Sequence, residues 1–224
     1  MPSIAQTLPV LAAVAFQAAD AAMGPAFSTG PVSDGSWIRE ATSTLVLPKA
    51  PSGSSGVASL WVGMGTSNGD LVQSIADNWD SDHWSVYAYT LLSTGAQSQM
   101  PVQGPATDAT EGDKITMHYK FDDNSGNYTQ TVQLNGKTVS TLSTSDEHAQ
   151  GWGSSVECGE DNCGTIGAHK WTDTKIILDS ADANYINTVG KGEGVTGEMS
   201  TSDNGKTWTV TTINIPEFTF GQSS

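Results

Sequence analysis

Apolar and polar residues alternate with a period of two along most of the chain after residue 40, the pattern of half-buried β-strands. Strands are expected at Thr42–Leu47, Ala58–Gly63, Leu71–Ala76 and Trp84–Leu92. In the last of these, Trp84, Val86, Ala88 and Thr90 form one set and Ser85, Tyr87, Tyr89 and Leu91 the other. An acidic loop, Asp77–His83, precedes it, and an irregular stretch, Ser93–Glu111, follows. Lys114–Phe121 places Ile115, Met117, Tyr119 and Phe121 on one face and Thr116, His118 and Lys120 on the other. Asn135-Gly136 joins Tyr128–Leu134 to Lys137–Leu142, a strong hairpin signal because both residues tolerate positive φ. Thr172–Leu178 is a further strand, and Asp203-Asn204-Gly205 turns Gly197–Ser202 into Lys206–Ile215. About ten to twelve alternating strands imply an all-β fold, a two-sheet antiparallel jelly-roll sandwich of the concanavalin A-like kind with a concave groove.

Composition supports this and narrows the partners. The chain of 224 residues suits one β domain, expected over 22–224, and its 24 Gly with abundant Ser and Thr suit many turns. Nine basic residues stand against 24 acidic ones, a net charge of −15. That balance argues against nucleic acid and against anionic membrane surfaces, because both need clustered Lys and Arg. An apolar run, Leu8 to Phe16, followed by Ala19-Asp20-Ala21, reads as a signal peptide over 1–21 and is too short to span a bilayer. The two cysteines, Cys158 and Cys163, are read as a loop-clamping disulfide of a secreted chain. Asn127-Tyr128-Thr129 is the single sequon, a glycosylation candidate at Asn127. The expected location is the secretory pathway or outside the cell.

Few catalytic sets survive inspection. There is no Gly-x-Ser-x-Gly elbow, and His83, His118, His148 and His169 lack the spacing of zinc ligands. Asp77, Asp80 and Asp82, or Asp122, Asp123 and Asn124, lack the bidentate Glu that closes a calcium loop. No phosphate-cradling loop or dinucleotide fingerprint is present, so neither metal nor cofactor is expected. What remains is aromatic. Tyr87 and Tyr89 belong to the less apolar set of their strand and are expected to line a concave face with their hydroxyls toward a ligand.

Leu45-Val46-Leu47-Pro48, Trp61-Val62-Gly63 and Leu71-Val72-Gln73 resemble the segment of the fungal glutamic peptidases that carries their catalytic glutamine, with Gln73 at that position. Those enzymes pair the glutamine with a glutamate. Here Tyr87 and Tyr89 match a Trp-x-Glu pattern of the family, and the partner glutamate falls on Gly153 or, in a looser alignment, on Glu157. A glutamine alone is no general base, since an amide has no useful pKa. The resemblance therefore implies the scaffold without the full peptidase set.

A wider resemblance rests on Trp-Val-Gly-Met-Gly-Thr, Gly-Asp-Leu-Val-Gln-Ser, Glu-Cys-x4-Cys-Gly-Thr and Ile177–Asp182. These motifs are similar to secreted-type fungal β-sandwich proteins related to the hetero-Diels–Alderases of tropolone–sesquiterpenoid pathways. The resemblance implies a cofactor-free cycloaddition of a tropolone quinone methide to a humulene-type alkene. Gln73, Tyr87, Tyr89 and His118 are then the candidate oxygen-directed donors, with Trp61, Trp84 and Trp152 as walls around apolar small molecules. His118 is also the candidate acid for forming the quinone methide by dehydration. The alternatives are a peptidase-like hydrolase or polysaccharide lyase on the same fold, or a non-catalytic glycan-binding module.

Overall fold

The computed structural model describes residues 21–51, 55–95, 98–159 and 162–221. The signal-peptide segment up to residue 20 lies outside the described residues. In chain order the strands are β1 (Ala22–Met23), β2 (Phe27–Thr29), β3 (Ile38–Val46), β4 (Val57–Thr66), β5 (Leu71–Trp79) and β6 (Trp84–Gly95). There follow β7 (Ser98–Gln103), β8 (Thr107–Ala109), β9 (Lys114–Asp122), β10 (Asn127–Leu134), β11 (Lys137–Thr144) and β12 (Ala149–Gly159). The last are β13 (Thr165–Ile166), β14 (His169–Leu178), β15 (Gly190–Lys191), β16 (Met199–Ser200), β17 (Thr207–Ile215) and β18 (Phe218–Thr219). The fold is an all-β antiparallel sandwich.

One layer runs β11-β10-β9-β3-β14-β17, and the other runs β7-β6-β5-β4-β12 with β2 at its edge. The layers join where Ala149 of β12 pairs with Ile38 of β3. Elsewhere they meet through side chains. Tyr119 of β9 donates to the Val62 carbonyl at 2.7 Å, and Ser74 of β5 donates to Gln130 of β10 at 3.2 Å. Even-numbered residues of β4, β5, β6 and β12 point inward: Leu60, Val62, Met64, Val72, Ala76, Trp84, Val86, Ala88, Trp152 and Val156 are all buried. Opposite them lie Leu45, Ile115, Met117, Tyr119, Tyr128 and Trp171. Burial of these aliphatic and aromatic surfaces, at about 25 cal/mol per Å², is the main force holding the layers together.

The hairpins follow their turn residues. Asn135 and Gly136 adopt φ of 50° and 84° between β10 and β11. Asn204 and Gly205 adopt 59° and 90° before β17. Cys158 and Cys163 are bonded to each other, with Cα atoms 5.7 Å apart, so the clamp sits at the end of β12. Three expectations are corrected. The stretch Ser93–Glu111 is largely paired, because β7 and β8 extend the sheet along β6. β5 continues to Trp79, so Asp77 is a strand residue rather than a loop residue. The strand β12 falls where none is expected from the sequence, because its glycines and serines carry no alternation of hydrophobicity.

Candidate functional site

The odd-numbered residues of β12, β4, β5 and β6 point away from the core, and register fixes them in rows. Gly153, Gly63, Gln73 and Tyr89 form one row, and Ser155, Trp61, Ile75 and Tyr87 the next. Glu157, Ser59, Asp77 and Ser85 form a third. Trp79 lies beyond them, beside Val57, and is 67% exposed at the rim. Although this face looks outward, Gln73, Ile75, Asp77, Tyr87 and Ser155 are all buried. The face is therefore recessed, and of its three rows Ser59, Trp61, Ser85, Tyr89, Gly153 and Glu157 are partly open to solvent.

Gly63 makes the recess possible next to Gln73. A Cβ there would stand 2.9 Å from the Gln73 Cβ and 3.0 Å from the Val72 carbonyl oxygen, so the glutamine side chain occupies the space a larger residue would need. Gly153, one strand further, is not crowded in this way; a Cβ there would meet nothing closer than 3.5 Å.

The third row holds the acid chemistry. Asp77 accepts from Ser59 Oγ at 2.5 Å on one oxygen and from the Tyr87 hydroxyl on the other. Glu157 accepts from Trp61 Nε1 at 2.7 Å. Burial raises the Asp77 carboxyl above the usual carboxylate range; the two donors oppose this shift and the Glu157 charge adds to it. Burial raises Glu157 as well, against the Trp61 hydrogen bond. Burial and the nearby Asp77 carboxylate raise Tyr87 and Tyr89, which stay protonated donors through the whole working range. Their rings meet edge to face with centroids 6.0 Å apart. Two buried acceptors on the face, Gln73 Oε1 and Ser155 Oγ, have no hydrogen-bond partner. Buried polar groups are ordinarily satisfied, so these two side chains are the hydrogen-bonding groups of the face that the protein itself leaves uncommitted.

The structure brings Gln73, Tyr87, Tyr89 and Trp61 onto one face and leaves three other candidates elsewhere. Trp84 is fully buried on the inward side, its Nε1 donating to the Pro48 carbonyl at 2.9 Å. Trp152 is also inward and packs edge-on to Phe27 with centroids 6.4 Å apart. Both are corrected from pocket walls to core, because they share strand parity with the apolar set. His118 lies on β9 in the other layer, between Thr42 and Thr131, with Nε2 2.9 Å from Glu40 Oε1. It does not face the recess and cannot supply its acid. Among the described residues, no group of three or more His, Cys, Asp or Glu is placed to hold a metal ion. Asn127, the sequon residue, opens β10, with its side chain 3.3 Å from Ser143 Oγ.

Register also decides which residue stands across from Gln73. Gly153 shares its row, whereas Glu157 lies two rows, or four residue pairs, along and two strands across. At about 3.3 Å per residue and 4.8 Å per strand, Gln73 and Glu157 have Cα atoms about 16 Å apart. One water cannot bridge them as a glutamine–glutamate pair would. From the sequence Asp77 is weighed only as a loop carboxylate and Trp79 is not placed on this strand, because the aspartate-rich run following Ala76 reads as a solvated turn. The alternation Gln73, Ile75, Asp77, Trp79 is the signal that carries the strand onward.

No protein-family model matches the sequence, and a sequence search of curated proteins finds no match. Among solved structures, the fold is similar to Scytalido-glutamic peptidase in complex with a peptide-based transition state analog, with a TM-score of 0.52 and 15% identity, over 86% of this chain and 98% of that one. A second structure of that peptidase, with a transition state analog inhibitor, gives 0.52 and 16% over the same shares. A further structure, SCP-B of the eqolisin peptidases in complex with a tripeptide, gives 0.49 and 14%, also over 86% and 98%. The chain thus has the β-sandwich scaffold seen in glutamic peptidases. At these identities the likeness concerns the fold alone.

Proposed function

We propose that the recessed face binds apolar small molecules and acts as a cofactor-independent cyclase of the hetero-Diels–Alderase kind, adding a tropolone quinone methide to a humulene-type alkene. The observation that carries this reading is the first two rows: aromatic rings beside unspent hydrogen-bonding groups, with Gly153 rather than a carboxylate across from Gln73. A pericyclic step needs no nucleophile. It needs the two partners held in a reactive pose, which supplies up to about 7–11 kcal/mol. It also needs donors aimed at the oxygen that gains charge. Tyr89 and Gln73 are the donors nearest the open part of the face, Tyr87 stands behind them, and Trp61 is the wall. The wider sequence resemblance supports the same reading, and the disulfide at the end of β12 is compatible with passage through the secretory pathway.

One observation favours a second reading. Asp77 and Glu157 form a row of two carboxyl groups around Ser59, as an acid hydrolase would require. The test is to incubate the purified protein with a hydroxymethyl tropolone and a humulene-type alkene and follow cycloadduct yield and stereochemical ratio. Polysaccharide and denatured-protein substrates at pH 3–6 run in parallel. Removing a transition-state donor by Tyr89→Phe or Gln73→Ala should lower the cycloaddition rate by ~10²–10³-fold. Adduct formed at the background rate, with release of sugars or peptides instead, overturns the cyclase reading.

A further inference from the structure

Lysine is scarce in this chain, and the topology gathers half of it on one surface. Lys114 and Lys120 stand on β9 and Lys170 and Lys175 on β14, all four exposed. They point outward from the β9-β3-β14 layer, on the opposite flank of the sandwich from the recessed face. β3 runs between the two strands and fixes their spacing: Val46 pairs with both Lys114 and Lys170, and Thr42 pairs with both His118 and Lys175. At about 4.8 Å per strand the two basic edges are about 10 Å apart, and the β9 edge runs about 20 Å from Lys114 to Lys120. The floor between them consists of the half-buried Thr42, Thr44, Thr116 and Thr172, with the Thr44 and Thr116 hydroxyls bonded at 2.9 Å.

Acidic residues outnumber basic ones 24 to nine, yet among the described residues Lys114, Lys170 and Lys175 have no ion-pair partner. The acids on these three strands are Glu40, Asp122 and Asp173. Glu40 is engaged by His118 at 2.9 Å and Lys120 at 3.8 Å, and Asp122 by Asn124 and Ser125. Asp173 alone of the three has no such partner among the described residues. A shallow depression of about 460 Å³ adjoins the β9 edge, lined by His118, Lys120, Phe121, Thr129 and Thr131 among others. Asp123, which also borders it, is held by both oxygens on Arg39. The carboxylates here are thus largely neutralised, while the amines are not.

The chemistry of the surface selects its partner. None of the exposed large apolar residues, Met23, Trp79, Met100 and Ile186, lies on these strands. Protein interfaces are built around an apolar core and membrane-surface binding buries apolar side chains, so neither partner suits this face. Duplex DNA carries a charge every ~1.7 Å, far denser than amines about 10 Å apart. We propose that this face binds an acidic polysaccharide, a chain of uronate sugars lying across β9, β3 and β14. Its sparse carboxylates meet the lysine amines and its hydroxyls meet the threonines. Lysine suits this role because a point charge on a flexible stem can follow a carboxylate that has no fixed orientation. The net charge of −15 repels a polyanion at long range, but salt screens charges beyond ~8 Å and leaves the contacts at this face to decide binding. Asn127 shares the outward parity and lies one row beyond Lys120, so a glycan there borders one end and leaves the Lys114–Lys170 end open. The site is separate from the recessed face and is independent of the function proposed for it.

Affinity electrophoresis reads the proposal directly, with the full chain run in native gels that hold polygalacturonate or its fully methyl-esterified, uncharged form. The carboxylated polymer should retard the parent and the ester should not. Lys170→Glu and Lys175→Glu should each weaken the apparent association constant by ~2–10-fold, the range that exposed ion pairs allow, and together by more than ~10-fold. Lys191→Glu is the matched control: it changes net charge equally, from a strand paired with β2 at the edge of the other layer, and should bind as the parent does. All three positions are exposed, and circular dichroism checks that each variant is folded. Absence of retardation, equal retardation by the ester, or a loss with Lys191→Glu as large as that on the face overturns the proposal. Tighter binding of a DNA duplex or of phosphatidylserine vesicles than of polygalacturonate also overturns it, by giving the face to phosphate instead.

Discussion

The placement of Gln73 over Gly63 can be tested by adding one methyl group. In Gly63→Ala the new Cβ would lie 2.9 Å from the Gln73 Cβ and 3.0 Å from the Val72 carbonyl oxygen, contacts that neither a backbone oxygen nor a Cβ can relieve by rotation. Overpacking of this kind costs about 1–3 kcal/mol. Removing a glycine from a strand returns about 0.5–1 kcal/mol of backbone entropy, so the net loss should be about 1–2 kcal/mol. For a domain of about 200 residues that lowers Tm by ~2–8 °C. Gly153→Ala is the control, since its Cβ meets only ordinary contacts at 3.5 Å; it should be neutral or stabilising by about 0.5–1 kcal/mol. Urea unfolding of both variants beside the parent measures the difference. Equal stabilities, or a larger loss at Gly153, would refute the register that puts Gln73 opposite Gly153 and about 16 Å from Glu157.

Other outcomes follow from the buried carboxyls and the clamp. Asp146 is enclosed with one oxygen unpartnered and the other accepting from Thr144 Oγ1 at 2.6 Å; burial, with Asp70 nearby, raises its pKa to about 6. The folded chain keeps this proton where the unfolded chain, with an aspartate at 3.8, has released it, so stability falls as pH rises from 4 through 6. The loss is on the order of 2 kcal/mol, and urea unfolding of Asp146→Asn against the parent at pH 4.5 and 7.5 should show a flatter dependence. Cys158→Ser with Cys163→Ser opens a short loop and should cost about 2 kcal/mol of unfolding free energy, measured by urea titration. It should also release the strand end carrying Glu157, lowering any activity that needs this carboxyl. Expression in a secreting host with and without Asn127→Gln, followed by glycosidase digestion, should show one glycan's worth of mass at Asn127.

The sandwich was legible because its strands obey the period of two so closely. The split of β6 into an inward set led by Trp84 and an outward set led by Tyr87 and Tyr89 follows directly from that period. The hairpin at Asn135-Gly136 was legible from residues that accept positive φ. What stayed hidden is the strand whose sequence has no such alternation. In β12 the outward positions are Gly153, Ser155 and Glu157, and Gly151 interrupts its start, so composition alone suggests a turn. The end of β5 was hidden for a related reason: Asp77 is polar by type and buried by position. Assigning Trp84 and Trp152 to the pocket gave weight to ring size over strand parity. The distance of His118 from the face could not be read without knowing which layer β9 joins.

These misses share a cause that bears on function. Core positions announce themselves, because burial selects apolar side chains at regular spacing. A recessed outer face selects for whatever chemistry it performs, and its residues are polar, small or aromatic without periodic regularity. Here the consequence is a displacement along the strands. The row of Gln73 carries Gly153 on β12 and no acid, and both carboxyls lie four residues further along, at Asp77 and Glu157. A shift of four preserves the face, since it is a multiple of two, and moves the acid centre about 13 Å toward the disulfide end of the sheet. The end lined by Gln73, Tyr89, Gly63 and Gly153 therefore offers hydrogen-bonding side chains without a carboxyl, and any acid–base chemistry on this face belongs to the other end.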